Sequence, residues 1–380
     1  MATPEIAIVG AGIGGLTAAI ALRSVGLSVE LFEQTAQFAR VGADINLTPN
    51  AVRALDGLGG NLGASLRAAG ARPRYRISRT WDTGAETSRI TLGDDAEQRY
   101  GAPQLMLHRG DLMSALRAEV PDEIMHLGER VQSVEFGDRP TLVLGSGRRE
   151  FDVVIGADGI HSRVRTAMFG AEDPTFTGVV AYRGVIPAER VAHLPNMDSF
   201  TKWWGPDADT QIVTFPLSQG REIFVFATVG RPEWTEESWT TPARIAEIRS
   251  AFDGFHTEAL ELLDACDDVM KSALYVRDPL PDWTNGAAVL LGDSSHPMMP
   301  FMAQGAGQAI EDAVVLARCL AGNATTADAL RAYTATRHSR TAEIQRGSRG
   351  NEWLKTACNG DWVYDYDAWT TPISGVPVAI

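Results

Sequence analysis

The chain opens on a change of hydrophobic period. Glu5–Val9 is a short β-branched run, residues 16–25 carry helical spacing with good helix formers, and 28–32 is a second extended run closed by Glu33. Strand, glycine-rich turn, helix and strand in that order predict a βαβ unit with tight turns. The same texture returns later, with buried strands predicted over 152–155 and 287–291 and helices over 50–58, 109–119 and 307–320. Residues 176–278 read differently. The aromatic and β-branched segments 179–185, 211–215 and 223–229 predict a mostly antiparallel sheet. The expected fold class is α/β: a discontinuous Rossmann-like domain (1–72, 101–175 and 279–325) with an inserted sheet domain (73–100 and 176–278). A C-terminal helical segment (326–380) follows, ending in Trp362, Tyr364, Tyr366 and Trp369. These aromatics are expected to pack within the chain, with a dimer contact as the alternative.

The 380 residues are 44% hydrophobic, enough for a large core divided between two or three units. No apolar run reaches the roughly 18 residues of a membrane span, and no signal peptide is expected at the N-terminus. Net charge is −14, which disfavours nucleic acid and anionic membranes as partners. Cys266, Cys319 and Cys358 have no metal-ligand spacing and read as reduced thiols of a cytoplasmic protein; no metal site is expected.

Gly10, Gly12 and Gly15 fit G-x-G-x-x-G, with Gly14 inside the motif. The first glycine permits a tight turn, the second lets backbone approach a pyrophosphate, and the third lets the helix pack closely on the strand. The pyrophosphate would sit at the helix N-terminus, and Glu33 stands where an acid binds ribose hydroxyls. The motif does not by itself separate one dinucleotide from another.

Two further segments narrow the choice. Gly156-Ala157-Asp158-Gly159 follows a buried strand and leads into His161, Arg163 and Arg165. Gly292-Asp293-Ser294-Ser295-His296-Pro297 follows another and runs on to Pro300-Phe301-Met302-Ala303-Gln304-Gly305-Ala306-Gly307. Together with His108-Arg109-Gly110-Asp111, these segments resemble the flavoprotein aromatic hydroxylases of the para-hydroxybenzoate and salicylate hydroxylase type. Lys202-Trp203-Trp204, Tyr182-Arg183-Gly184 and the aromatic tail are similar to the 6-hydroxynicotinate and salicylate branch in particular.

The resemblance implies FAD as cofactor, NADH or NADPH as co-substrate (NADH by analogy with that branch), and O2. Hydroxylation of a small aromatic or heteroaromatic acid or phenol would proceed through a flavin C4a-hydroperoxide, in a monomer or homodimer. It implies that Gly10, Gly12, Gly14, Gly15, Glu33, Arg40, Arg109, Asp158, Asp293, Pro300, Gly305 and Ala306 bind the cofactor. Plainer roles stand beside these. Arg163 and Arg165 read equally as solvated helix charges, His161 as a loop residue, His296 as positioning its loop, and Asp312 as part of a polar helix face.

The sequence departs from the family where a base is expected. Asn46 stands where the 6-hydroxynicotinate enzymes have a histidine, and Phe301 stands at a second such position. Asparagine orients a hydroxyl or carboxylate but does not take a proton near neutral pH. The substrate then ionises unaided, uses another base, or differs from 6-hydroxynicotinate, the last being favoured. Asn46, Pro300 and Phe301 are the catalytic candidates. The pocket candidates are Asn46, Arg183, Trp203, Gln211, Val213, Phe215, Phe301 and Met302. Strand alternation puts Gln211, Val213 and Phe215 on one face, which could roof the flavin. The alternatives are a larger natural-product substrate on the same fold and a non-catalytic flavin-binding regulator.

Overall fold

A computed structural model describes residues 4–38, 44–234, 241–355 and 360–374. The glycine-rich start forms the centre of a six-stranded sheet ordered Thr284–Asn285, Ala288–Leu290, Val153–Gly156, Glu5–Val9, Ser28–Glu33, Met125–Leu127. All pairings are parallel except the first. Ile6, Ala7 and Ile8 are all buried, as expected of a parallel strand covered on both faces. Helix Ile13–Ser24 packs against helix Gly305–Gly322, so the two glycine-opened helices lie side by side. A meander of Val131–Glu135, Thr141–Leu144 and Gly147–Glu150 packs with helix Arg163–Phe169.

The inserted sheet has eight strands, ordered Thr241–Ala243, Val269–Val276, Thr175–Pro187, Glu222–Gly230, Gln211–Leu217, Phe200–Trp204, Tyr75–Thr80, Glu86–Thr91. It is antiparallel except where Phe200–Trp204 runs parallel to Tyr75–Thr80. Its far face, with Tyr182, Trp203, Ile212 and Val225, is covered by helices Ile245–Ala251 and Thr257–Asp264 through Ile248, Phe252 and Leu262. Its near face meets the dinucleotide half through Met106 and Phe301. A two-stranded ribbon, Ile45–Leu47 with Leu105–Leu107, lies at that junction. The fold class expected from the sequence is the fold observed.

The expected C-terminal helix runs from Thr326 to Arg349. Beyond it Tyr364 meets Tyr100 edge-on, Tyr366 lies 4.0 Å from the Arg340 guanidinium, and the Trp369 indole donates to the Ala54 carbonyl at 2.9 Å. The aromatic tail therefore packs within the chain. Cys266 and Cys319 are free and buried, and burial pushes both thiols up to about 12; Cys358 lies outside the described residues. Among the described residues no helix is long and apolar enough to cross a membrane.

Candidate active site

The glycine motif builds one wall of the site. Gly10 has φ +101°, and a Cβ there would lie 2.5 Å from the Ala157 carbonyl oxygen, so this turn is pressed against the Asp158 loop. A Cβ on Gly15 would lie 1.8 Å from the Gly10 oxygen, and one on Gly14 would meet the Leu291 side chain at 2.6 Å. Gly12, by contrast, would direct a Cβ into open space. It caps a helix whose N-terminus no side chain satisfies. Open room beside unpaired helical N–H groups is what a pyrophosphate requires. Glu33 is at the tip of its strand and accepts from the Ala11 amide and from Thr35. Arg40 lies outside the described residues.

The second wall comes from the two acid turns. Asp158 uses both carboxylate oxygens locally, accepting from Ser162 Oγ and from the Arg163 and Val164 amides. These bonds shape its turn. His161 and Arg163 are exposed, but Arg165 is buried. It donates to the Ser294 and Ser295 carbonyls, so it is a fastener between the acid turns and not a solvated charge. Asp293 has an exposed side chain on the turn Gly292–Ser294. Surrounding protein nevertheless raises its carboxyl above the ordinary range, against the pull of His296 and Arg109. Exposure combined with desolvation marks the wall of a concave cleft. Asp293 Oδ1 lies 4.0 Å from where a Gly305 Cβ would sit, which brings the acid to the uncapped N-terminus of helix Gly305–Gly322. Gly305 and Ala306 are half-buried there, and Pro300 and Arg109 are exposed.

A buried network holds this wall in place. Gln304 donates to Thr48 Oγ1 at 2.8 Å, and Asn50 donates to Gln304 at 3.1 Å and to Glu311 at 2.6 Å. His296 Nε2 is 2.6 Å from Asp312, whose other oxygen accepts from Arg337 at 2.7 Å. His296 thus positions its loop. Asp312 is fully buried and is not part of a solvated helix face.

The roof is the near face of the eight-stranded sheet. One row crosses it as Ser78, Lys202, Val213, Phe226 and Arg183. A second runs Thr80, Trp204, Gln211, Thr228 and Ala181. In a third, Phe200 stacks on Phe215, which pairs with Phe224. Gln211, Val213 and Phe215 therefore share the face that looks toward the dinucleotide half. Trp203 does not. It pairs with Ile212 on the opposite face and is fully buried against the covering helices, so the tryptophan of this strand on the near face is Trp204. Phe301 packs against the roof with Val179 and Phe226, but Met302 packs in a separate cluster with Ile344, Leu354 and Val363. Asn46, buried on the ribbon, accepts from Gln104 at 2.9 Å beside Met106.

Two charged residues on or beside the roof are not among the expected site residues. Asp44, half-buried just before the ribbon, faces Arg183 and Arg109; burial pushes its carboxyl up to about 6 despite both cations. Lys202 is 3% exposed, with its amine 2.7 Å from Asn351 Oδ1 and 3.4 Å from the Trp204 ring centroid. Arg183 reaches Ser272 Oγ at 2.7 Å across the Phe226 ring. A carboxyl raised by folding binds its proton more tightly in the native state. The stability Asp44 contributes is complete below its unfolded value near 4 and lost as pH rises through about 6. In thermal melts of the FAD-free protein, Asp44→Asn is expected to match the parent near pH 4 and exceed it above pH 6. A pH-independent difference would show that Asp44 ionises normally.

Two glycine-opened helix ends, a concave acid wall and an apolar roof define a flavoprotein of the dinucleotide-fold type. The FAD binding domain family matches residues 3–348, and the chain belongs to it, within the FAD-dependent aromatic monooxygenases. It is 40% identical to 6-hydroxynicotinate 3-monooxygenase from Bordetella bronchiseptica over 97% of both chains. Among solved structures it resembles a salicylate hydroxylase substrate complex (TM-score 0.83, 26% identity, 96% of each chain). It also resembles Klebsiella pneumoniae HpxO complexed with FAD and uric acid (TM-score 0.82, 25% identity, 94% of this chain and 90% of that one).

Proposed function

We propose that this chain hydroxylates a small aromatic or N-heteroaromatic acid or phenol, using NADH or NADPH and O2. The observation that carries the reading is the roof row in which apolar Val213 and Phe226 lie between Lys202 and Arg183, above the Phe301 loop. Apolar walls with few polar anchors suit a flat, polar-substituted ring. FAD, when bound, supplies the redox chemistry, accepting hydride from the nicotinamide and activating O2. The residues of this chain do the rest. Gly12, Asp293 and the helix end at Gly305 hold the cofactor. Val213, Phe226 and Phe301 exclude water over the reacting ring. Asn46, fixed by Gln104, orients a ring substituent and takes no proton.

The test follows NADH and NADPH oxidation by the FAD-loaded protein at fixed O2, with peroxide assayed alongside. The panel holds salicylate, 3- and 4-hydroxybenzoate, 6-hydroxynicotinate, aminobenzoates, nitrophenols and hydroxypyridines. Strong stimulation by one compound with little peroxide is expected; stimulation by none overturns the small-aromatic reading. With that compound, Asn46→Leu is expected to keep its FAD but release most reducing equivalents as peroxide. Unchanged coupling would exclude Asn46 from orienting the ring.

A further inference from the structure

Lys202 is a buried amine with no carboxylate partner among the described residues. Among the described residues no carboxylate lies within ion-pair distance of its amine, which is held by the Asn351 amide oxygen and the Trp204 ring. The charged groups facing it are Arg76 from the neighbouring strand and Lys355 and Glu352 from the segment after the long C-terminal helix. Burial first, then Arg76 and Lys355, holds its amine well below the ordinary ammonium range, with Glu352 opposing. A second observation points the same way. Trp204, adjoining on the same face, is 8% exposed, and its buried indole N–H has no acceptor among the described residues. The corner thus has donors in excess of acceptors. Asn351 is itself fixed, donating to the Ala208 carbonyl at 2.6 Å and to Gln211 Oε1 at 3.3 Å, and has φ +48°. An uncompensated buried charge is costly to keep, and a hydrophobic residue of similar size would serve packing better. The Phe301 ring centroid, at the inner edge of the proposed pocket, is 5.9 Å from the amine.

We propose that Lys202, framed by Trp204 and Asn351, is the anchor for a carboxylate on the aromatic substrate. This rests on the hydroxylase reading above and narrows it, because a substrate completing this corner carries an anion at one end and exposes its ring to the Phe301 loop. The lysine forms no covalent bond. The carboxylate supplies the missing counter-charge, and the ring is held by the apolar row beside it.

The experiment titrates FAD-loaded protein with hydroxybenzoates and their neutral hydroxybenzamide analogues, reading the flavin absorbance change and requiring no turnover. Lys202→Met is expected to weaken the acids by about 10- to 100-fold and the amides by less than about twofold. Lys202→Arg should restore most of the acid affinity. In the parent, acid affinity should fall as pH rises through the lowered lysine value, and that limb should vanish in Lys202→Met. The ligand-free Lys202→Met protein should melt no lower than the parent, since an unpaired buried charge has been removed, which separates lost binding from lost folding. Equal weakening of acid and amide, or of neither, overturns the anchor while leaving the hydroxylase reading intact. Absence of any spectral response in the parent to either ligand class overturns both.

Discussion

Replacing Arg337 with methionine is expected to destabilise the protein by about 3–5 kcal/mol, lowering its melting temperature by roughly 4–6 °C. Arg337 is fully buried and donates to Asp312 at 2.7 Å, to Glu311 at 2.6 Å and to Gln308 Oε1 at 2.7 Å. Glu311 is shared with Arg340, at 2.9 and 3.0 Å. Burial alone would raise both carboxyls. Arg340 and Arg337 around Glu311, and His296 and Arg337 around Asp312, more than offset it and hold both below the ordinary carboxylate range. Lowered carboxyls contribute stability above their unfolded values, near 4, and lose it as pH falls through their folded ones. The parent should therefore weaken on acidification as the network protonates. Methionine fills much of the space but leaves two adjacent buried carboxylates, Glu311 with Arg340 and Asp312 with His296. The double variant Arg337→Met with Asp312→Asn should recover part of the loss. The damage should reach the site as well, because Asp312 accepts from the Gly292 amide at 3.1 Å and so suspends the turn that carries Asp293. A melting temperature within about 1 °C of the parent would show that water or relaxation replaces the guanidinium.

Why that network was unreadable in the sequence is a matter of geometry. Glu311 and Asp312 precede Arg337 by about 25 residues on a different helix, and acids along a helix ordinarily read as its solvated side. The packing of the long C-terminal helix, of Asn50 and of the His296 loop against helix Gly305–Gly322 makes that side interior. The βαβ start was legible because composition and punctuation agree: a short β-branched apolar run, a glycine turn, then a run of helix formers at helical spacing. The roof was half legible. In Gln211–Leu217 alternation alone separated Gln211, Val213 and Phe215 from their neighbours. In Phe200–Trp204 adjacent tryptophans removed the parity signal and drew attention to Trp203, the one facing the covering helices. The more telling cue is Lys202, which shares parity with Phe200 and Trp204 on the near face. Strands Tyr75–Thr80 and Glu86–Thr91 were missed because Arg76, Arg79, Glu86 and Arg89 interrupt any apolar run, although Arg76 is buried over Phe200. Met302 follows Phe301 in a short 3-10 turn, where neighbouring side chains diverge, so the inclusion of one did not license the other.

The two glycines of the nucleotide turn should separate cofactor binding from folding. Gly15→Ala places a methyl group 1.8 Å from the Gly10 oxygen, so helix Ile13–Ser24 must move off the strand that carries the turn. Overpacking of this kind costs about 1–3 kcal/mol and at times more, and here it also displaces the helix end meant for the pyrophosphate. The FAD-free variant should melt lower than the parent and bind FAD at least roughly 100-fold more weakly, since about 2.7 kcal/mol of misplaced contacts accounts for that factor. Gly12→Ala should behave otherwise. Its φ of −73° suits alanine, and its methyl group meets nothing within 4 Å in the ligand-free fold, so the FAD-free protein should melt as the parent does. FAD affinity should still fall by about tenfold or more, because the methyl group occupies the space through which backbone approaches the pyrophosphate. Flavin fluorescence titration of the two apoproteins, paired with their melts, decides the matter. If Gly12→Ala binds FAD like the parent, the open space above Gly12 is not the pyrophosphate site, and the cofactor must enter the cleft from the Asp293 side alone.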